Sequence, residues 1–401
     1  MTNLTAITIM AVVFGILVIL GAAEMVLHRR TLRRLPVRIH VNGTRGKTSV
    51  VRLIAAGLRA GGLRVCSKTT GSFAAVTGPD GEDYPLHRPA QPNVIEQMRV
   101  LRRLVPFEPD AVVMECMALQ PQYQSLTERQ MIRSTHGVIT NARADHLDVM
   151  GPGPDDVALA LAGSTPYNAK LFTAERQRID ILRMAADDRG STVHQTTLED
   201  IAAISDKDLA PFSYAEHGEN VALALNVCQD LGVDRATALS GMHKLKPEVG
   251  ATRVLEMDFF GRSIIFVNAF AANDPESTQM IWEKVVAHYG DDRSLIAVVN
   301  CRFDRPHRSQ QLAEVASKWT PAHHYVLMGS GTLLFARSAV KNGLSPSNMT
   351  VAEGMDTVET FETVLEHAGN RALIVGMCNV HGGGSELARY FNNRATRSQP
   401  L

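Results

Sequence analysis

The sequence predicts an α/β protein in three parts: a transmembrane helix, a parallel-sheet domain and a second α/β domain after it. Three observations carry this expectation. Met1 to Ala23 holds no charged side chain. A glycine-rich turn, Val41-Asn42-Gly43-Thr44-Arg45-Gly46-Lys47-Thr48-Ser49, stands between an apolar strand pattern and a helical one. Beyond Arg253 a fresh alternation of strands and helices begins.

With 401 residues, 45% hydrophobic and 20% charged, the chain is long enough for two or three packed domains of ordinary globular composition. Its formal net charge is zero, so no global basic field recruits nucleic acid and any anion site must be local. Cys66, Cys116, Cys228, Cys301 and Cys378 are scattered without a C-x-x-C pair. They read as reduced thiols of a cytosolic compartment, used in packing.

The N-terminal stretch 7–23 is almost continuously apolar and long enough to cross a hydrocarbon core as a helix. His28, Arg29, Arg30, Arg33 and Arg34 follow it, whereas a signal peptide carries its positive charge in front. The pattern predicts an uncleaved single-span anchor in the inner (cytoplasmic) membrane. By the positive-inside rule the N-terminus faces out and the rest of the chain is cytoplasmic.

Residues 37–41 read as a short buried strand, and Val50, Leu53, Ile54 and Leu58 recur at helical spacing until Gly61-Gly62. Gly43 and Gly46 permit positive φ and a close backbone approach, and the N–H groups opening the helix point at negative charge. Lys47 supplies a cation for the β- and γ-phosphates and Thr48 a hydroxyl for Mg²⁺. The motif is shorter than G-x-x-x-x-G-K-[ST], whose first glycine would fall on Val41. Its required context of strand, turn and helix is complete, so it predicts a P-loop ATP-binding domain with Asn42 to Ser49 around the phosphates.

A second strand over 64–67 leads into Lys68-Thr69-Thr70-Gly71, whose hydroxyls can reach a metal or phosphate or simply form a turn. Residues 77–93, rich in proline and glycine, read as a surface loop. A helix over 94–104 precedes a strand over 111–114 that ends at Glu115. A carboxylate there sits on the ligand-binding edge of an open α/β sheet, which makes it a candidate Mg²⁺ ligand. The next strand, 137–140, runs into Asn141-Ala142-Arg143-Ala144-Asp145-His146-Leu147-Asp148. Asp145, His146 and Asp148 cluster at that strand end as a metal and phosphate pocket. Asp145 also reads as a helix cap, and His146 as a packing residue.

A helix over 155–162 and strands over 169–173 and 191–194 extend the sheet. Glu216 to Asn220 opens a helix over 221–231, and 244–250 reads as a domain boundary framed by Pro247 and Gly250. Strands over 264–268, 295–300, 325–328 and 372–377 then alternate with helices over 277–288, 311–318 and 358–367. This alternation predicts a C-terminal Rossmann-like α/β domain with a parallel sheet. Its binding edge would carry Asn268, residues 300–305, 329–331 and 379–384.

In this order, Gly-Thr-x-Gly-Lys-Thr, a glutamate after a strand, Asn-x-x-x-Asp-His-x-Asp, an Asn-initiated helix of small residues and an arginine after a glycine resemble Mur ligases and folylpolyglutamate synthetases. More narrowly, Asn42 to Lys47, Glu115-Cys116-Met117-Ala118, Asp145 to Pro152 and Asn268 to Asp274 are similar to the ligase subunit of poly-γ-glutamate synthetase, the PgsB/CapB type. The membrane anchor fits that subfamily. Residues and resemblance together divide the chain into a transmembrane anchor (1–27), a basic juxtamembrane linker (28–36), a Mur-ligase-like central ATPase domain (37–248) and a C-terminal Rossmann-like ligase domain (249–401).

The resemblance implies Mg²⁺ (or Mn²⁺) at Thr48, Glu115 and His146, with Thr70 near a second metal. Asn220 would contact the adenine, and Arg253 would reach the γ-phosphate. The chain departs from the family pattern twice. No lysine occurs in 155–164, where Mur ligases carry a carbamylated one, and the Ala-His-Asn-Pro run is replaced by Ala272-Asn273-Asp274-Pro275. Asn268 and Asp274 are both left as polar candidates for the ribose.

The implied activity is an ATP-dependent amide ligase that forms γ-glutamyl linkages through an acyl phosphate and releases ADP and phosphate. Its partners would be glutamate, the growing poly-γ-glutamate chain and small membrane proteins of the same complex, with homo-oligomerisation left open. A membrane-tethered P-loop ATPase that energises a partner is the alternative from another class. A folate or cell-wall ligase would need a bulky ring-binding N-terminal region, where this chain has one helix.

Overall fold

The computed structural model describes residues 3–70, 74–86, 93–212, 216–245, 252–272 and 275–400. The chain divides into two compact units, Met1–Phe212 with Glu216–Leu245, and Ser213–Ala215 with Lys246–Leu401.

The first unit opens with one unbroken helix, Asn3–Arg33. Within Ile7–Arg33 a stretch of 18 residues reaches a mean hydropathy of 2.5 with none of it buried, so the helix is long and apolar enough to cross a membrane. Its last turns behave differently. His28, Thr31, Leu32 and the following Leu35 are buried, and the two leucines share a core with Leu101, Leu104, Met131 and Ile132. Residues 28–36 are therefore mostly docked helix instead of the expected linker, because apolar side chains among the arginines find partners on the body of the unit.

Eight strands form the first sheet: β1 (Val37–Asn42), β2 (Val65–Thr69), β3 (Ala75–Thr77), β4 (Asp83–Pro85), β5 (Ala111–Glu115), β6 (His136–Ile139), β7 (Lys170–Thr173) and β8 (Thr192–Gln195). Their order is β4-β3-β2-β5-β1-β6-β7-β8. All pairings from β2 to β8 are parallel, while β3 and β4 pair antiparallel at the edge. The connection leaving β1 leads to β2 on one side, and that leaving β5 passes to β6 on the other. A sheet of this order opens a crevice at the carboxyl ends of β1 and β5.

The loop expected over 77–93 holds a strand. β3 and β4 form a hairpin in which Asp83 accepts from the Thr77 hydroxyl at 2.7 Å and from Arg52 at 2.9 Å. Three-residue edge strands are too short to leave an alternating pattern, and Pro85 is tolerated only at such an edge.

The second unit has seven strands: β9 (Arg253–Phe259), β10 (Arg262–Asn268), β11 (Ser294–Cys301), β12 (His324–Gly329), β13 (Met349–Glu353), β14 (Arg371–Met377) and β15 (Arg397–Pro400), in the order β13-β12-β11-β14-β10-β9-β15. The five from β13 to β10 are parallel; β9 and β15 add an antiparallel flank. Helices Pro275–Tyr289, Pro306–Ala316, Thr332–Lys341, Thr357–Glu366 and Gly384–Asn392 connect them. One face packs Trp282, Val299 and Phe335, and the other packs Phe266, Phe361 and Phe391. The near-continuous Ile/Val/Leu runs of β11 and β14 follow from burial on both faces.

Candidate active site

The turn after β1 is built around two glycines. Gly43 has φ 131° and Gly46 φ 79°, and Gly46 caps the helix Lys47–Ala60. Space demands glycine as well as dihedral angle. A Cβ on Gly43 would run into Thr140, and one on Gly46 would stand 2.5 Å from Asn220 Oδ1.

The residues just after β6 brace the loop. Asn141 Oδ1 accepts from the Thr44 hydroxyl at 2.6 Å and from the Arg45 N–H at 3.1 Å. The Thr140 hydroxyl donates to Arg45 O at 2.6 Å, and the Arg143 N–H donates to Thr44 Oγ1 at 3.0 Å. The roles of Thr140 and Asn141 were missed in the sequence, although Asn141 opens the Asn-x-x-x-Asp-His run. Asn42 and Thr44, expected among the phosphate contacts, turn their side chains inward. Asn42 Nδ2 donates to Gln124 at 2.8 Å and Ser164 at 3.0 Å, while its Oδ1 accepts the Gly43 N–H at 2.9 Å.

Lys47 Nζ lies within the loop, donating to Gly43 O at 2.7 Å and Thr44 O at 3.2 Å. Thr48 and half-buried Ser49 follow it in the first helical turn. The Thr48 hydroxyl donates to Glu115 Oε2 at 3.1 Å, and the Thr70 N–H donates to the same oxygen at 2.7 Å. Thr48, Thr70 and Glu115 are thus brought together from three elements. Gln97 holds the Glu115 backbone carbonyl at 2.9 Å. Lys68, two positions before Thr70, is fully buried and pairs with Glu96 at 2.9 Å.

His146 has φ 47° and precedes the short helix Leu147–Met150. Its N–H donates to Asp145 Oδ1 at 3.1 Å, and its ring Nε2 lies 3.9 Å from that oxygen. The same carboxylate lies 3.5 Å from Arg45 of the loop. Asp145 therefore lies beside both the His146 backbone N–H and Arg45, and Asp148 is exposed. Among the described residues no three His, Cys, Asp or Glu side chains converge. The donor set is one carboxylate and hydroxyls, which suits a hydrated Mg²⁺ completed by phosphate oxygens better than an all-protein cage.

Asn220 is buried, gives Nδ2 to Glu216 at 2.9 Å and presses its amide against Gly46. In the second unit, Arg253 and Asn268 are register partners on β9 and β10. Arg253 is exposed. Asp274 lies outside the described residues. The carboxyl edge of that sheet gathers arginines. Arg302 pairs with Asp304 at 2.7 Å and holds its carboxyl below the usual carboxylate range, and Arg308 donates to Asn379 Oδ1 at 3.3 Å. Asn300 Nδ2 ties this edge together through Asn379 O at 2.7 Å and His381 O at 2.9 Å.

Comparison with known proteins places the chain in a family and a fold. Residues 41–161 match the Mur ligase middle domain, and 254–394 match the poly-gamma-glutamate synthase CapB C-terminal domain. The chain is similar in fold to Escherichia coli FolC in complex with DHPP and ADP, at TM-score 0.66 and 15% identity over 92% of each chain. It is also similar to Mycobacterium tuberculosis folylpolyglutamate synthase complexed with ADP, at TM-score 0.62 and 18% identity over 94% of each chain. In sequence it is 35% identical to the capsule biosynthesis protein CapB of Bacillus anthracis, over 92% of this chain and 80% of that one. It is 34% identical to the PGA synthase CapB of Bacillus subtilis (strain 168), over 93% of this chain and 94% of that one. With relatives of this identity along nearly its whole length, the chain belongs to the CapB family of poly-γ-glutamate synthases.

Proposed function

We propose that this chain is an ATP-dependent amide ligase that joins glutamate through γ-linkages at the inner face of the membrane. The observation that carries the reading is the Thr48–Glu115 pair at 3.1 Å behind a complete phosphate loop, in a chain of this family.

The γ-phosphoryl group of ATP passes to a carboxylate oxygen, giving an acyl phosphate and ADP. The amine of a glutamate then attacks the acyl carbon and releases phosphate as the amide forms. Phosphoryl transfer is mainly positioning and charge neutralisation. Lys47 holds the transferring phosphate, and the loop N–H groups hold the others. Thr48, Glu115 and His146 would hold Mg²⁺, with Thr70 near a second metal; when bound, the ion neutralises charge on the phosphates. Arg253 would add a cation at the γ-phosphate, Asn220 would meet the adenine, and Asn268 or Asp274 the ribose. The Arg302, Arg305 and Arg308 edge suits a substrate whose carboxylates need guanidinium partners. An acyl phosphate hydrolyses readily, so closing the site against water protects it.

The helix Asn3–Arg33 supports membrane attachment, with the catalytic units on the cytoplasmic side and small membrane proteins as partners. The test is glutamate-dependent release of ADP and phosphate, with hydroxylamine trapping of a glutamyl hydroxamate. Release of AMP and pyrophosphate excludes the mechanism. Turnover that needs a partner protein and ignores glutamate favours a tethered ATPase instead.

A further inference from the structure

Helix Pro121–Leu126 continues as a π-helical turn, Thr127–Ile132, whose Met131 and Ile132 share a core with Val112 and Met114 of β5. It is joined to β1 by two buried rungs. Asn42 donates to Gln124 Oε1 at 2.8 Å, and His40 Nδ1 lies 2.8 Å from Glu128 Oε2. Asn42 and His40 are two apart on one face of a strand, roughly 6.5 Å along it. Gln124 and Glu128 are four apart on a helix, roughly 6 Å along it, so the two spacings match.

All four side chains are buried, Gln124 fully so. The second oxygen of Glu128 accepts the Ser134 N–H at 2.8 Å and hydroxyl at 2.9 Å, so the carboxylate has no freedom to turn. Burial opposes charge on His40, but the Cys116 sulfur and the Glu128 carboxylate outweigh it and raise its pKa to about 10. A buried ion pair of this kind is weak evidence for stability, since well-packed apolar residues often do as well. What it adds is direction and register. The far end of the helix is fastened too: Met131 O accepts from His28 at 2.7 Å, and Arg38 at the start of β1 donates to Ile132 O at 3.1 Å. A π turn is itself an uncommon device, found frequently at functional sites.

The upper rung ends at the phosphate loop. Asn42 receives Gln124 on its amide nitrogen and the Gly43 N–H on its amide oxygen, so the orientation of Gln124 sets that of the first loop peptide. The lower rung sits beside the other wall of the site, because the Cys116 N–H, next to Glu115, donates to Val41 O at 2.8 Å.

We propose that Gln124 and Glu128 are positioning residues for the ATP site, holding the strand that ends in the phosphate loop at the height where loop and Glu115 meet the nucleotide. This rests on the phosphate-loop reading. The experiment uses the full chain in detergent or nanodiscs with ATP as the probe. Gln124→Met, Glu128→Leu and the paired His40→Asn/Glu128→Gln variant are compared for KM of ATP and of glutamate, kcat, and the rise in Tm that ATP causes. Gln124→Met should raise the KM of ATP about tenfold, the order set by losing one buried hydrogen bond, and leave the KM of glutamate unchanged. The paired variant, which replaces ions by amides that still bond, should regain most of the ATP affinity lost in Glu128→Leu. If Glu128→Leu fails to fold, Gln124→Met and the paired variant decide. Wild-type ATP affinity and ATP-induced Tm shift in a folded Gln124→Met overturn the proposal. A wild-type chain that shows no ATP-induced Tm shift overturns the phosphate-loop reading itself.

Discussion

Thr48 and Glu115 meet through a single hydrogen bond of 3.1 Å, although one opens a helix and the other ends a strand 67 positions on. The bond places a hydroxyl and a carboxylate at one point of the crevice between β1 and β5. Glu115→Gln keeps the size and removes the ligand charge. We expect a large loss of rate and a Mg²⁺ titration shifted to higher concentration, with Tm within a few degrees of wild type. An unchanged Mg²⁺ titration would assign Glu115 to structure.

Lys47 Nζ donates to the backbone carbonyls of Gly43 and Thr44, and the residue is not fully buried. On the proposed phosphate-loop reading, Lys47→Ala should abolish turnover and leave the fold intact, because the charge it removes would act on the γ-phosphate. Circular dichroism checks the fold and phosphate release checks the rate. Full turnover in a folded variant overturns the phosphate-loop assignment.

The parts of this site legible in the sequence are those whose signal is local. The turn at Gly43 and Gly46 is flanked by its own strand and helix, and Glu115 ends an apolar run, so spacing alone locates them. The brace is different in kind. Asn42 is held by Gln124 and Ser164, 82 and 122 positions away, and nothing local distinguishes Gln124 from any surface glutamine. The same holds for the edges of the sheets. β10 and β14 announce themselves by buried apolar runs, whereas β15 and the β3–β4 hairpin are short and defined by the strand they join. His146 was legible as a residue and not as a conformation, since its positive φ depends on the turn that Asp145 closes.

In the second unit, His324 and His367 stack face to face with ring centroids 3.5 Å apart, and Thr350 Oγ1 lies within 2.8 Å and 3.2 Å of their Nε2 atoms. Burial, then the facing His367, hold the His324 pKa below the ordinary 6.5. The unfolded chain accordingly takes up its proton first as pH falls. Stability from this pair is fully present above about 6.5 and is lost as pH drops from there toward the lower folded value. We expect Tm to fall between pH 7.5 and pH 5.5, and His367→Gln to flatten that fall. Equal pH dependence of Tm in wild type and variant would show that the stacked pair contributes nothing to it.

His146 separates function from structure most sharply, because the two roles make opposite demands on its backbone. A non-glycine residue at φ 47° sits in the left-handed region, at a cost of about 1 kcal/mol or more. If His146 served only to turn the chain into the helix Leu147–Met150, glycine would suit the position at least as well. If its imidazole reaches the cation or the phosphates, the strain is retained for the sake of the ring. His146→Gly should then hold or raise Tm while losing most of the activity. His146→Ala should lose activity equally, and Mn²⁺ in place of Mg²⁺ should recover part of it, because added affinity at the remaining ligands offsets the missing one. A His146→Gly chain that melts no lower than wild type and turns over at the wild-type rate would show the residue to be a turn former, leaving Thr48 and Glu115 to hold the metal with the phosphates.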